Sequence, residues 1–257
     1  MKKNLRYFRY LVLLLILLFV IVNETRVKDR VASWDQTLQV QVFAINGDRR
    51  AATESYLKAL KLSDFRPIED FVNREAKRYG LAVDAIKISY AGELESGPPQ
   101  PPLESSVLKN VFWSLHFRGW AWYQSYHQDK EAPDVNLFIS YYDTSTTQSL
   151  RHSVGLQRGL IGLINGFASK RYNGSNNVVI AHELMHTLGA SDKYDLHTGQ
   201  PLVPDGLANP DQSPLYPQHR AEIMGAHIAT SAIRWRRPPS LKSCMIGVAT
   251  ATEIGWL

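Results

Sequence analysis

The segment His182-Glu183-Leu184-Met185-His186 sets two imidazoles four positions apart with a carboxylate between them. On a helix, residues four apart share a face, so both rings can converge on one tetrahedral zinc. Glu183 sits one position round the helix, in reach of a water in the fourth ligand position, which zinc acidifies toward hydroxide near neutral pH. The carboxylate can take that water's proton and later give it to a leaving amine. At this composition H-E-x-x-H arises by chance in about one chain per hundred, so the flanking residues decide its meaning. Gly189 follows His186 by three positions and Asp192 follows Gly189 by three, which completes H-E-x-x-H-x-x-G-x-x-D. Glycine adopts the left-handed conformation that ends a helix, and a sharp turn there can bring Asp192 back to the metal as third ligand.

The extended motif resembles that of the metzincin zinc metalloproteases, in the snapalysin-like form where aspartate replaces the third histidine. Ala221-Glu222-Ile223-Met224-Gly225, with Met224 38 residues after His186, resembles the Met-turn that sets a methionine beneath the ligand histidines. The polarizable thioether suits that packing role. By motif the resemblance runs from about 159 to 224. It implies an α/β zincin catalytic domain: a mixed twisted sheet, an active-site helix, and a C-terminal subdomain with the Met-turn and a final helix. It further implies zinc on His182, His186 and Asp192, Glu183 as general base, and a peptide or protein substrate. The strand before the active-site helix, 159–168, would bind extended substrate along a free edge. The chain departs from the pattern two residues beyond Met224, where Ala226, followed by His227, stands in place of the tyrosine some metzincins carry. An oxyanion-stabilising tyrosine would then be another, such as Tyr194 or Tyr216. Asp195, His197 and Glu222 are alternative third ligands, and Glu222 in that role would imply the gluzincin group instead.

Several elements must position these groups. Residues 37–45 alternate apolar and polar and end at Asn46-Gly47, as a half-buried strand does. Helical spacing occupies 54–62 and 68–79, the second closing at Gly80. A short strand is expected at 85–90, further strands at 135–142 and 159–168, and a final helix over 245–256. The SGPPQPP stretch at 96–102 is a surface loop. The aromatic-rich segment 107–126 reads as a helix with a weak point at Gly119, its large side chains packing a core in preference to docking lipid or a partner. Arg234-Trp235-Arg236-Arg237 and the Asp/Pro-rich stretch 195–217 read as solvated loops. Alternating helices and strands without repeats point to one α/β domain over 36–257.

The 257 residues, 44% of them hydrophobic, can bury a sizeable core. The lone Cys244 excludes intramolecular disulfides and cysteine-rich zinc clusters, so any metal site must use histidines and carboxylates. Of the net charge of +5, seven basic and two acidic residues fall in the first 30 positions, which leaves 22 of the 29 basic and 22 of the 24 acidic for the rest. The body is neutral, and nucleic acid is not an expected partner. Residues 11–22 read LVLLLILLFVIV behind four basic residues and before no small-residue cleavage site. The expectation is an uncleaved transmembrane signal anchor over 7–22, with a cytoplasmic tail at 1–6 and a juxtamembrane linker at 23–35. The catalytic body would then be periplasmic or extracellular. These readings combine into a membrane-anchored zinc endopeptidase. The alternatives are a zinc amidase acting on cell-wall peptides and a binding or assembly protein whose zinc is structural.

Overall fold

The computed structural model describes Tyr7, Tyr10 and residues 33–99, 102, 106–126, 133–156 and 160–257. Its main sheet has five strands in the order β2-β1-β3-β5-β4: β1 (Leu38–Asn46), β2 (Ile86–Leu94), β3 (Val135–Tyr142), β4 (Val154–Leu156) and β5 (Ile161–Phe167). β1 pairs in parallel with β2 and β3, β3 pairs in parallel with β5, and β4 runs antiparallel to β5. Parallel neighbours need crossovers, which helices supply. α1 (Ala51–Ala59) and α2 (Arg66–Arg78) lie between β1 and β2, α3 (Val107–Tyr126) lies between β2 and β3, and α4 (Asn173–Leu188) follows β5.

Helices cover both faces, so the central strands need apolar side chains on both sides, and Val42, Phe43, Ala44 and Ile45 are all buried. Val42, Leu137 and Ile139 pack with Leu57 of α1, Phe71 of α2 and Leu184 of α4. Phe43, Phe138 and Leu163 on the other face pack with Phe117 and Ala121 of α3. The Phe117 ring stacks between Trp113 and Trp120 at 5.6 and 6.0 Å, and Trp120 lies 4.7 Å from Phe138. The aromatic helix therefore builds core with one face, while Leu108, Phe112 and Leu115 are exposed.

Several sequence expectations need correction. The strand at 159–168 has no free edge: β5 is paired on both sides, and β4, a three-residue strand in a polar stretch, ends the sheet. The helix expected over 245–256 shortens to α5 (Val248–Glu253), because Cys244–Met245 forms β9 beside β6 (Ala221–Glu222). The arginine-rich segment is a hairpin of β7 (Ile228–Ser231) and β8 (Arg234–Arg236) instead of a loop. The transmembrane signal anchor is corrected too. Among the described residues no helix is long and apolar enough to cross a membrane, and of the segment 7–22 only Tyr7 and Tyr10 are described. The unbroken apolar run is twelve residues, about 18 Å as helix against a hydrocarbon core of about 30 Å. The single-pass topology and the outward-facing placement of the body rested on that anchor and have no support among the described residues.

Candidate metal centre

The start of α4 is polar for a reason. The Asn176 side chain accepts from the Phe167 N–H at 3.1 Å and donates to the Phe167 carbonyl at 2.9 Å, which pins the helix to the end of β5. Asn177 donates to the Asp64 carbonyl at 2.8 Å, and Asn173 donates to the Asp64 carboxylate at 3.2 Å. So docked, α4 is buried on nearly all sides from Asn176 to Leu188, His182 and Glu183 included. β4 crosses it at Gly155, where an added Cβ would sit 2.6 Å from both the Glu183 carbonyl oxygen and the His186 Cβ. Only a residue without a side chain permits that approach.

Gly189 ends the helix at φ 111°, in the left-handed region. Its N–H donates to the His186 carbonyl at 3.1 Å and the Ala190 N–H to the Met185 carbonyl at 3.0 Å, closing a Schellman turn. The turn delivers Asp192, whose Oδ1 lies 3.1 Å from the Nε2 atoms of both His182 and His186. The two imidazoles stand nearly perpendicular, 88° apart, with centroids at 4.7 Å. One donor atom from each of the three residues falls within 4.8 Å of the others.

These donors fit a metal ion. Nδ1 of His182 faces the Ile223 carbonyl at 2.9 Å, and Nδ1 of His186 faces the Ala190 carbonyl at 2.8 Å. A carbonyl can only accept, so each Nδ1 carries its hydrogen, which leaves Nε2, turned toward Asp192, as the atom of each ring that can give a lone pair to a metal. Asp192 Oδ1 is buried and makes no hydrogen bond of ordinary geometry. Three electron-rich atoms converging in this way require a cation or a proton among them. Ligands of a tetrahedral zinc stand about 3.3 Å apart, close to the 3.1 Å that separates Asp192 Oδ1 from each imidazole.

The electrostatics agree with this arrangement. Burial opposes the charge on Asp192, but the two histidines hold its carboxyl well below the usual range. Burial also works against a proton on His186, and is outweighed by Asp192 and the Ala190 carbonyl, so its pKa is raised. Burial pushes the Glu183 carboxyl up, with the charges of His182 and His186 and the Gly155 backbone pulling the other way. Glu183 Oε2 is buried without a hydrogen-bond partner. Burial and the charges of Asp192 and Glu183 push the Tyr194 hydroxyl up to about 12. The Tyr194 ring lies 6.2 Å from His182 and 6.1 Å from His227, which packs on Trp235 at 3.7 Å.

Glu222 and Asp195 are not in the cluster. The Glu222 carboxylate is fully buried and accepts from the Met224 and Gly225 N–H groups at 2.6 and 2.8 Å, the Gly247 N–H at 2.9 Å and the Thr250 hydroxyl at 2.8 Å. With every lone-pair direction engaged, it braces the turn at Met224 against α5. Met224 is fully buried, and its carbonyl accepts from the Lys193 N–H at 2.9 Å. Asp195 caps its own loop through the N–H groups of His197 and Thr198. His197 also stands outside the cluster. The sequence pattern brought together His182, Glu183, His186, Gly189 and Asp192, but did not reveal Gly155, the brace at Glu222 or the aromatic contact at His227. Each involves a partner further along the chain: α4 for Gly155, Gly247 and Thr250 for Glu222, and Trp235 for His227. Compared with known proteins, the chain matches no protein-family model and no curated protein, and what stands is a His182-His186-Asp192 cluster close enough to hold a metal ion.

Proposed function

We propose that the protein is a zinc-dependent endopeptidase in which His182, His186 and Asp192 hold the metal and Glu183 is the general base. The observation that carries this reading is Glu183 itself, a buried carboxylate with one oxygen unpartnered, adjacent in the helix to a ligand of a three-donor cluster. Structural zinc sites are closed by four protein ligands and have no use for a base, whereas catalytic sites keep a position open. Among the described residues this cluster offers three donors. Zinc bound there supplies Lewis acidity toward a peptide carbonyl and toward water. Glu183 takes a proton from the attacking water at Oε2 and returns it to the departing amine nitrogen. β4 ends the sheet beside α4, and an edge strand in that position suits pairing with an extended peptide.

The test is Glu183→Gln, which keeps shape and polarity but cannot accept the proton. Zinc content should persist while peptide turnover falls by about two to four orders of magnitude. His182→Ala or His186→Ala should release most of the zinc. Equal turnover in wild type and Glu183→Gln would exclude the general-base role. A wild-type protein that holds zinc tightly yet cleaves nothing in a diverse peptide library would be a binding protein, and cleavage confined to cell-wall stem peptides would make it an amidase.

A further inference from the structure

We infer that Glu253, on the last helix, is the positioning residue for the third metal ligand, an inference that rests on reading the His182-His186-Asp192 cluster as a metal site. Glu253 does not touch Asp192; it holds the residues on either side. One carboxylate oxygen accepts from the Ser191 hydroxyl at 2.7 Å, and the other accepts from the Ser191 N–H at 2.9 Å and from the Lys193 ammonium at 2.7 Å. The ammonium also donates back to the Ser191 carbonyl and hydroxyl, at 3.3 and 3.2 Å, so the three groups form a closed loop around the ligand's backbone.

Both ends of this clamp are fixed. Lys193 is 5% exposed, unusual for a lysine, and its backbone donates to the Met224 carbonyl and accepts from the Leu202 N–H at 2.8 Å. α5 is tied down by the bond from Thr250 to buried Glu222, and by Ile254, whose carbonyl accepts from the Trp34 indole at 2.7 Å. Without Glu253, the stretch from Ser191 to Lys193 would keep its anchor at the turn of Gly189 but lose its grip on α5. Asp192 would then have to be ordered at the moment of metal binding, and that ordering entropy would be subtracted from the affinity.

The experiment measures zinc affinity of the full chain by competition with a chromogenic chelator for wild type, Glu253→Ala, Glu253→Gln, Asp192→Ala and the Glu253→Ala/Asp192→Ala double variant. Loss of the clamp should weaken zinc by about 10- to 100-fold. Glu253→Gln should fall between, since its amide oxygen keeps one acceptor while its NH2 faces donors. In the Asp192→Ala background the Glu253→Ala effect should shrink to less than about two-fold, because a positioning residue has nothing left to position. Cobalt(II) in place of zinc should show altered visible bands in Glu253→Ala and unaltered bands in a surface control such as Lys58→Ala. An undiminished effect in the Asp192→Ala background would mean general loosening and overturn the inference, as would wild-type affinity in both Glu253 variants. If Glu253→Ala fails to fold, the cycle is run with Glu253→Gln. Wild-type protein that binds zinc but cleaves no peptide would defeat the endopeptidase reading and leave this one standing, whereas wild-type protein without zinc affinity would defeat both.

Discussion

His227 is a histidine held neutral. Burial against Trp235 is the main cause and the charge of Arg237 adds to it, with the Gly199 backbone opposing, and together they push its pKa down to about 4. An unfolded histidine titrates near 6.5, so on acidification the unfolded chain takes up its proton first. The stability contributed by neutral His227 is thus complete above pH 6.5 and is lost as the pH falls to about 4. The site is partly open to solvent, and after discounting for screening the loss is about 1–2 kcal/mol. Thermal melts of the metal-free protein between those pH values should show a slope that His227→Gln flattens. An unchanged slope in that variant would show that other groups carry the acid sensitivity. Tyr194 lies between His227 and His182, at 6.1 and 6.2 Å, which adds a tyrosine to the cluster's surroundings that the spacing after Met224 could not locate.

Among the elements, α4 was the most legible and β4 the least. The H-E-x-x-H spacing specifies a helix by itself, and Gly189 marks its end by a conformation other residues resist. α3 and β3 were equally plain, because each is a long segment bounded by loop residues. β4 is only three residues long and half-buried, too short to show a period, yet it packs directly against α4 at Gly155. The last helix was overextended in sequence because the pairing of Met245 with Glu222 joins residues 23 positions apart. Glu253 was invisible for the same reason: its partners lie 60 and 62 residues earlier. The close crossing of β4 over α4 makes a testable contrast between two glycines. Gly155→Ala should destabilise by about 1–3 kcal/mol and weaken zinc retention, since the methyl group meets α4 at 2.6 Å. Gly119→Ala, in α3 where an added Cβ meets nothing within 4 Å, should stabilise by about 0.5–1 kcal/mol. Denaturant melts of the two variants decide it, and equal destabilisation in both would contradict the crossing.

At the scale of the whole molecule, the candidate metal site joins two parts of the chain. The histidines belong to a helix packed on the five-stranded sheet, while Asp192 belongs to a segment tied to the turn at Met224 and to α5. A metal held by both parts binds the folded state alone, so it should raise stability by mass action. Free zinc at about 100 times its dissociation constant should add about 2.7 kcal/mol, or about 5–10 °C in Tm for a chain of this size. His182→Ala should abolish the rise, and a rise of the same size in that variant would place the metal elsewhere. The α/β class could be read from the alternating elements. The apolar run at 11–22 lies outside the described residues, and its twelve residues are few for a hydrocarbon core of about 30 Å.

Both ligand imidazoles are oriented by main-chain carbonyls, those of Ile223 and Ala190, and not by acidic side chains. Every amino acid carries a carbonyl, so the choice of tautomer at His182 and His186 does not depend on which residues occupy positions 190 and 223. Substitutions at those two positions that keep the volume should therefore leave both tautomers unchanged, because the layer around the cluster is set by backbone shape and not by side-chain identity.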